Sequence, residues 1–248
     1  MIEARHISLT FGENKVLDDI SFQFEVGKTN LIIGQSGSGK TVLVKSLVGL
    51  LVPDEGEIMY DDRNFMAMGT RERRELRQEI GMLFQGGALF DSMTVEQNVM
   101  FPLNMFTNMT PAEKIDRVNF CLERVNLAGR NKLMPSELSG GMIKRVAIAR
   151  AIALNPKYLF CDEPNSGLDP ITSGVIDELI KEITEEFNTT TVINTHDMNS
   201  VLMIGENIAF IYKGRIGWSG TRHEILHTDN KELNEFIFAT ELTRRLKR

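Results

Sequence analysis

The stretch Gly34-Gln35-Ser36-Gly37-Ser38-Gly39-Lys40-Thr41 gathers glycines, a lysine and a terminal hydroxyl into one short turn. Gly34, Gly37 and Gly39 let the backbone curl so that successive N–H groups point inward, the arrangement that grips phosphate oxygens. Lys40 supplies a point charge for the β- and γ-phosphates of a nucleotide such as ATP, and Thr41 a hydroxyl for Mg²⁺. A short apolar run, Thr29–Ile33, precedes the turn, and a helical pattern from Lys40 to Leu51, closed by Pro53, follows it. Strand, glycine loop and helix is the setting in which such a turn holds phosphate, with the helix start adding its positive dipole end.

A phosphate loop also needs a carboxylate on the metal side. The apolar run Tyr158–Cys161 ends in Asp162 and Glu163. Asp162 is the candidate to hold Mg²⁺ through water, and Glu163 the candidate to polarise an attacking water, which makes the site hydrolytic. The blander alternative is two acids leaving the core at a strand end. Gln85 and His196 also stand where apolar runs stop. In a parallel α/β sheet the strand C-termini converge on the ligand crevice. Gln85 is thus a candidate Mg²⁺ ligand or water-orienting group, and His196 a candidate partner of the γ-phosphate. A lone Gln or His is otherwise a surface or cap residue.

A second anion-binding turn lies a hundred or so residues later, Leu138-Ser139-Gly140-Gly141-Met142. Ser139 is a good N-cap, and Gly140 and Gly141 expose backbone N–H groups at a helix start. No second lysine, acid pair or metal ligand accompanies it, so it is half a site. It becomes useful if two chains pack head-to-tail, each lending this turn to the ATP on the other's phosphate loop.

These residues need a scaffold. Ile20, Phe22, Phe24 and Val26 alternate with polar residues, a strand pattern that buries one face. Strand-like runs return at 157–163 and 189–196, separated by a helix carrying Val175, Ile176, Leu179, Ile180 and Ile183, which predicts a parallel sheet with crossover helices. A hairpin turns at Lys213-Gly214. Between 86 and 155 the signals are helical. Thr94 with Gln97 and Thr110 with Glu113 fit capping boxes, Pro111 suits a first helical position, and Ile115, Val118, Leu122 and Val125 recur at helical spacing. The fold expected is an α/β P-loop NTPase core with a mixed, mostly parallel sheet and an N-terminal antiparallel part. Residues 1–85 and 156–220 form this core, 86–155 an inserted helical subdomain, and 221–248 a helical C-terminal tail ending in the basic run Thr243–Arg248.

Composition bounds the rest. The 248 residues suffice for one large domain, and a formal net charge of −6 argues against a nucleic-acid partner. No apolar run approaches the ~20 residues of a membrane span, and no signal-peptide pattern opens the chain. Two cysteines, Cys121 and Cys161, do not suggest a disulfide framework. The expectation is a cytoplasmic protein that meets any membrane through a partner.

The set Gly34–Thr41, Gln85, Leu138–Met142, Leu159–Glu163, Ser166–Asp169 and His196, in this order, resembles the ATPase subunits of ABC transporters over nearly the whole chain. That resemblance implies a head-to-tail homodimer, with Asp169 in the loop that couples the two sites and an aromatic residue stacking on adenine. Phe11 is the best match for the last. Most relatives end the signature turn in Gln, where this chain has Met142, and Asn165 replaces a more usual Thr. A weakened signature is one reading of Met142. The other is kinship with Mla-type phospholipid transporters, which share the Met variant and which residues 81–103 and 132–142 resemble closely. The resemblance implies integral-membrane permease subunits, an MCE-domain lipid-binding protein, and a position on the cytoplasmic face of the inner membrane.

Ala88, Leu89, Phe90 and Met93 flank Gln85 and either pack inside the helical subdomain or line a groove for a short helix from the permease. Met82, Met93, Met100, Met105, Met109, Met134 and Met142 fall in or near this region, where flexible thioethers suit an adaptable surface as well as a core. Two other functional classes stay open on the sequence. One is a soluble ABC-type ATPase that scaffolds cofactor assembly, and the other a regulatory module in which ATP switches assembly without rapid turnover. A transporter for another hydrophobic compound is also open.

Overall fold

The computed structural model describes residues 1–238. The basic run Thr243–Arg248, and with it the end of the expected C-terminal tail, lies outside the described residues. The chain opens with β1 (Ile2–Phe11), β2 (Asn14–Phe24), β3 (Thr29–Ile33), α1 (Lys40–Leu47), β4 (Glu55–Tyr60), β5 (Arg63–Asn64), α2 (Thr70–Gln78) and β6 (Ile80–Leu83). It continues through α3 (Val95–Phe106), α4 (Pro111–Arg124) and α5 (Gly140–Ile152). Then come β7 (Tyr158–Asp162), α6 (Pro170–Phe187), β8 (Thr190–Asn194), α7 (Met198–Ile204), β9 (Asn207–Tyr212), β10 (Arg215–Gly220) and α8 (Lys231–Ile237).

The main sheet runs β10-β9-β3-β8-β7-β6. Its pairs are parallel except for β9–β10. The smaller sheet, β2-β1-β4-β5, is antiparallel throughout. Strands β3, β7 and β8 are buried at every position, as expected where both sheet faces are covered. Alternate side chains serve two cores. Ile32, Phe160 and Val192 meet α1 and the antiparallel sheet, while Leu31, Ile33, Leu159, Cys161 and Ile193 meet the helices beyond. The phosphate-loop strand is thus clamped from both sides.

The segment 86–155 holds helices and no strand. Thr94 and Thr110 cap α3 and α4 by accepting from the Gln97 and Glu113 N–H groups, and Pro111 starts α4. Buried Asn98 accepts from the Phe90 N–H at 2.8 Å and donates to the carbonyls of Phe90, Met93 and Thr94, which pins the loop entering α3.

The structure departs from the sequence expectations in places. Helix α1 stops at Leu47 rather than near Pro53, because Gly49 takes φ 74° and the Gly49 and Leu50 N–H groups close on Ser46 and Lys45 carbonyls. That is a Schellman ending, which a glycine imposes before the proline is reached. Val26 is 46% exposed, since β2 ends at Phe24 and the alternation stops there. Val175 and Ile115 face solvent although their helical neighbours are buried. The hairpin turn is as expected: Lys213 and Gly214 have φ 48° and 77°, and the Gly214 carbonyl accepts from the Asp18 N–H at 2.8 Å.

Candidate functional site

The glycine loop leaves β3 and enters α1 with left-handed φ at Gly37 and Gly39, 79° and 107°. A side chain at Gly39 would reach 2.9 Å from the Val16 carbonyl, so β2 presses on the loop where the helix begins. Lys40 is 6% exposed, and its Nζ donates to the carbonyls of Gly34 at 2.9 Å and Gln35 at 3.0 Å. Burial lowers its pKa, and the charges of Glu163 and Asp162 work against that shift. The Ser38 hydroxyl is buried with no hydrogen-bond partner among the described residues. A polar atom left so is ready for an incoming acceptor.

The main-sheet strands bring the other candidates to this loop. Gln85 Nε2 donates to Glu163 Oε2 at 2.9 Å and to Ser166 Oγ at 3.3 Å. His196 Nδ1 lies 3.2 Å from Glu163 Oε1. Glu163 thus stands between residues that follow β6 and β8, and all three line one cleft with Gly34, Gln35, Ser36 and Lys40. Its backbone has φ 46°, unusual for a residue with a side chain, and is held there by its own N–H to Asn194 O at 2.9 Å and by the Ser166 N–H to its carbonyl at 3.2 Å. The strained peptide sets where the side chain starts, and the Gln85 and His196 contacts orient its carboxylate.

One participant was not legible in advance. Asn194, at the end of β8, donates through Nδ2 to both Asp162 Oδ1 at 2.6 Å and Thr41 Oγ1 at 3.1 Å. It draws the loop hydroxyl and the strand carboxylate together. An all-oxygen pair of this kind suits Mg²⁺, which keeps most of its other positions for phosphate and water. Among the described residues no group of three or more histidines, cysteines, aspartates or glutamates is placed to hold a metal ion. The signal available for Asn194 was a polar side chain in a fully buried strand two residues before His196.

Other sequence candidates lie apart from the cleft. Phe11 ends β1 half exposed and does not line it. Leu138–Met142 starts α5, where Ser139 accepts from the Met142 N–H at 3.3 Å, and is also outside it. Gly141 abuts Thr172 so closely that a Cβ would come within 2.6 Å of its methyl. Thr172 in turn is fixed by Asp169, which caps α6 by accepting from the Ile171 and Thr172 N–H groups at 3.0 Å each. Hydrogen bonds from Thr172 hold the Asp169 carboxyl below its ordinary pKa.

A separate apolar groove opens between β6 and the α3–α5 helices. Ala88 and Phe90 line it with Met82, Phe84, Phe101 and Phe106. The four residues read together in the sequence divide here: Leu89 packs on the helical core, and Met93 is not part of the groove. The loop between them bends at Ala88, whose φ is 49°. The methionines divide likewise, with Met100 and Met142 against the core and Met105 and Met109 exposed.

A family model described as ABC transporter matches residues 17–166. The intermembrane phospholipid transport system ATP-binding protein MlaF of Haemophilus influenzae is 39% identical over 238 residues, 96% of this chain and 90% of that protein. The probable ribonucleotide transport ATP-binding protein mkl of Mycobacterium leprae is 36% identical over 236 residues, 95% of this chain and 68% of that protein. Among solved structures, a dimeric ATP-binding cassette in a post-hydrolysis state bound to ADP and Pi superposes with a TM-score of 0.81. It is 31% identical, covering 90% of this chain and 99% of that one.

Proposed function

The chain belongs to the ABC transporter family, as an ATPase whose hydrolysis is coupled to transport, and from that premise we propose that it energises phospholipid movement between envelope membranes. The ATPase part rests on the convergence of Gln85, Glu163 and His196 on the phosphate loop, with the Ser139–Met142 turn left outside the same cleft, and the phospholipid part on the 39% identity to the ATP-binding protein of an intermembrane phospholipid transport system. Two chains meet head-to-tail, so that each Leu138-Ser139-Gly140-Gly141-Met142 turn closes on the ATP held by its partner's Gly34–Thr41. The dimeric state of the similar cassette supports this arrangement.

In each site the backbone N–H groups of Gln35–Thr41 and the Lys40 ammonium bind the phosphates, and Phe11 stacks on the adenine. Thr41, Asp162 and Gln85 would hold Mg²⁺, which would supply positive charge against the β- and γ-phosphates. Glu163 orients the attacking water and takes up its proton as the bond from water to phosphorus forms and the bond to ADP breaks. His196 steadies the γ-phosphate through its remaining nitrogen, and Gln85 positions the Glu163 carboxylate. Asp169, through Thr172 and the packed Gly141, ties one site to the turn that serves the other.

The groove lined by Ala88 and Phe90 receives a short helix of the permease, close enough to Gln85 to feel whether ATP is bound. That contact would hold the chain at the cytoplasmic face of the inner membrane; among the described residues no helix is long and apolar enough to cross a membrane. Phe90→Asp is expected to leave phosphate release by the isolated chain within about twofold while lowering permease-coupled transport by about tenfold or more. Transport assayed in vesicles beside ATPase activity checks this, and transport that persists moves the groove elsewhere.

The reading is tested by recovering the Glu163→Gln chain, with ATP and Mg²⁺, from gently solubilised host membranes and identifying proteins and lipids by mass spectrometry. A multi-span permease, an MCE-domain protein and phospholipid are expected. A permease carrying another compound would favour the ribonucleotide reading attached to the mycobacterial relative, and soluble assembly factors alone would sink transport altogether.

A further inference from the structure

Lys144 is a buried cation that the chemistry above does not use. It lies in α5, 4% exposed, and its Nζ donates to the backbone carbonyl of Gln85 and sits 3.5 Å from that of Glu163. Both contacts are to main chain, at the two positions whose side chains meet over the phosphate loop. An ammonium withdrawn from water is costly unless such acceptors replace the solvent. Burial lowers its pKa, while nearby Cys161, Glu163 and Asp162 act in the opposite direction.

The rest of α5 grips the same loop. Arg150 donates to the carbonyls of Gly87 and Ala88 at 2.8 Å each. Ile143 packs where Gly87 lacks a Cβ, its methyl within 2.8 Å of the place one would occupy. The N-terminus of α5 is the Ser139–Met142 turn itself. From Ser139 to Lys144 is roughly 7.5 Å along a rigid helix, so a movement of the turn is a movement of the ammonium.

We propose that Lys144 is a positioning residue that couples the two ATP sites, passing the docking of the partner's ATP on Ser139–Met142 to the backbone of Gln85 and Glu163. The proposal rests on the head-to-tail reading. The Asn194 and Ser166 bonds already hold the Glu163 peptide in its strained conformation, and the lysine adds a hold on its carbonyl. When α5 is seated by the partner's ATP, that hold tightens and keeps the carboxylate aimed through turnover; with α5 unseated, ATP binds but the carboxylate is held less firmly.

Lys144→Met keeps the apolar stem and removes every donor, whereas Lys144→Arg keeps donors and charge. Phosphate release by the full chain is measured against ATP concentration for each, with the thermal midpoint and, in the Glu163→Gln background, ATP-driven dimerisation. Lys144→Met is expected to lower kcat about tenfold or more, to leave KM within about twofold, and to bring the Hill coefficient down to about one, with Lys144→Arg recovering most of the loss. An unchanged kcat and Hill coefficient overturns the proposal, as does an equal loss in both variants with a lowered midpoint, which marks a packing residue. If Lys144→Met does not fold, Lys144→Gln makes the same comparison. A Glu163→Gln chain that stays monomeric with ATP defeats the head-to-tail reading itself, an outcome distinct from any change in the Lys144 kinetics.

Discussion

The Glu163→Gln chain is expected to bind ATP as the unmodified protein does and to release phosphate at least about a hundredfold more slowly. Glutamine fills the same volume and still offers an oxygen to the Gln85 amide, which sits 2.9 Å from Glu163 Oε2. What it lacks is an acceptor for the proton that water sheds as it attacks. The peptide at residue 163 is held by main-chain bonds to Asn194 and Ser166, so the substitution leaves the strained backbone in place and isolates the chemistry. Fluorescent-nucleotide titration and steady-state phosphate release measure the two effects separately. Turnover that matches the unmodified chain would remove Glu163 from the mechanism and shift the water-orienting role to Gln85 and His196.

The second large effect belongs to Lys40. Lys40→Met is expected to weaken ATP binding about a hundredfold or more, because charge-assisted bonds to phosphate are lost where little water can replace them. The ammonium is buried and bonded to the Gly34 and Gln35 carbonyls, so it holds the turn in addition to any bond it makes to phosphate. Methionine preserves the stem's packing, and the thermal midpoint without nucleotide separates loss of the loop's shape from loss of affinity. Affinity unchanged within about twofold would mean that backbone N–H groups alone carry the phosphates.

Much of this site was readable because its chemistry is local in sequence. The glycine loop, the two acids after Tyr158–Cys161 and the capped turn at Ser139 each declare themselves within a few residues. Gln85 and His196 were found by position, as polar ends of apolar runs, and the parallel sheet does bring both to Glu163. Asn194 and Lys144 escaped because their roles depend on partners far along the chain: Thr41, 153 residues away, for one, and the Gln85 carbonyl for the other. The same limit hid β4, β5 and α2. Helix α2 buries only Leu76 and is otherwise polar or charged, so it carries no apolar period to detect. Leu89 packs on the helical core while Phe90 lines the groove, next to a left-handed Ala88 that no side-chain pattern announces.

The order β10-β9-β3-β8-β7-β6 has a consequence for how the chain is made. Strand β3, which carries the phosphate loop, pairs only with β8 and β9, and these span Thr190–Asn194 and Asn207–Tyr212. A polypeptide growing on the ribosome therefore completes α1 to α6 and its Ser139 turn while β3 still has unpaired edges. Non-local pairing of this kind is slow and leaves apolar strands exposed while it waits. Nascent chains arrested before residue 190 should consequently need chaperone cover and hold no ATP, and nucleotide capture becomes a late checkpoint that only an almost fully synthesised molecule can pass.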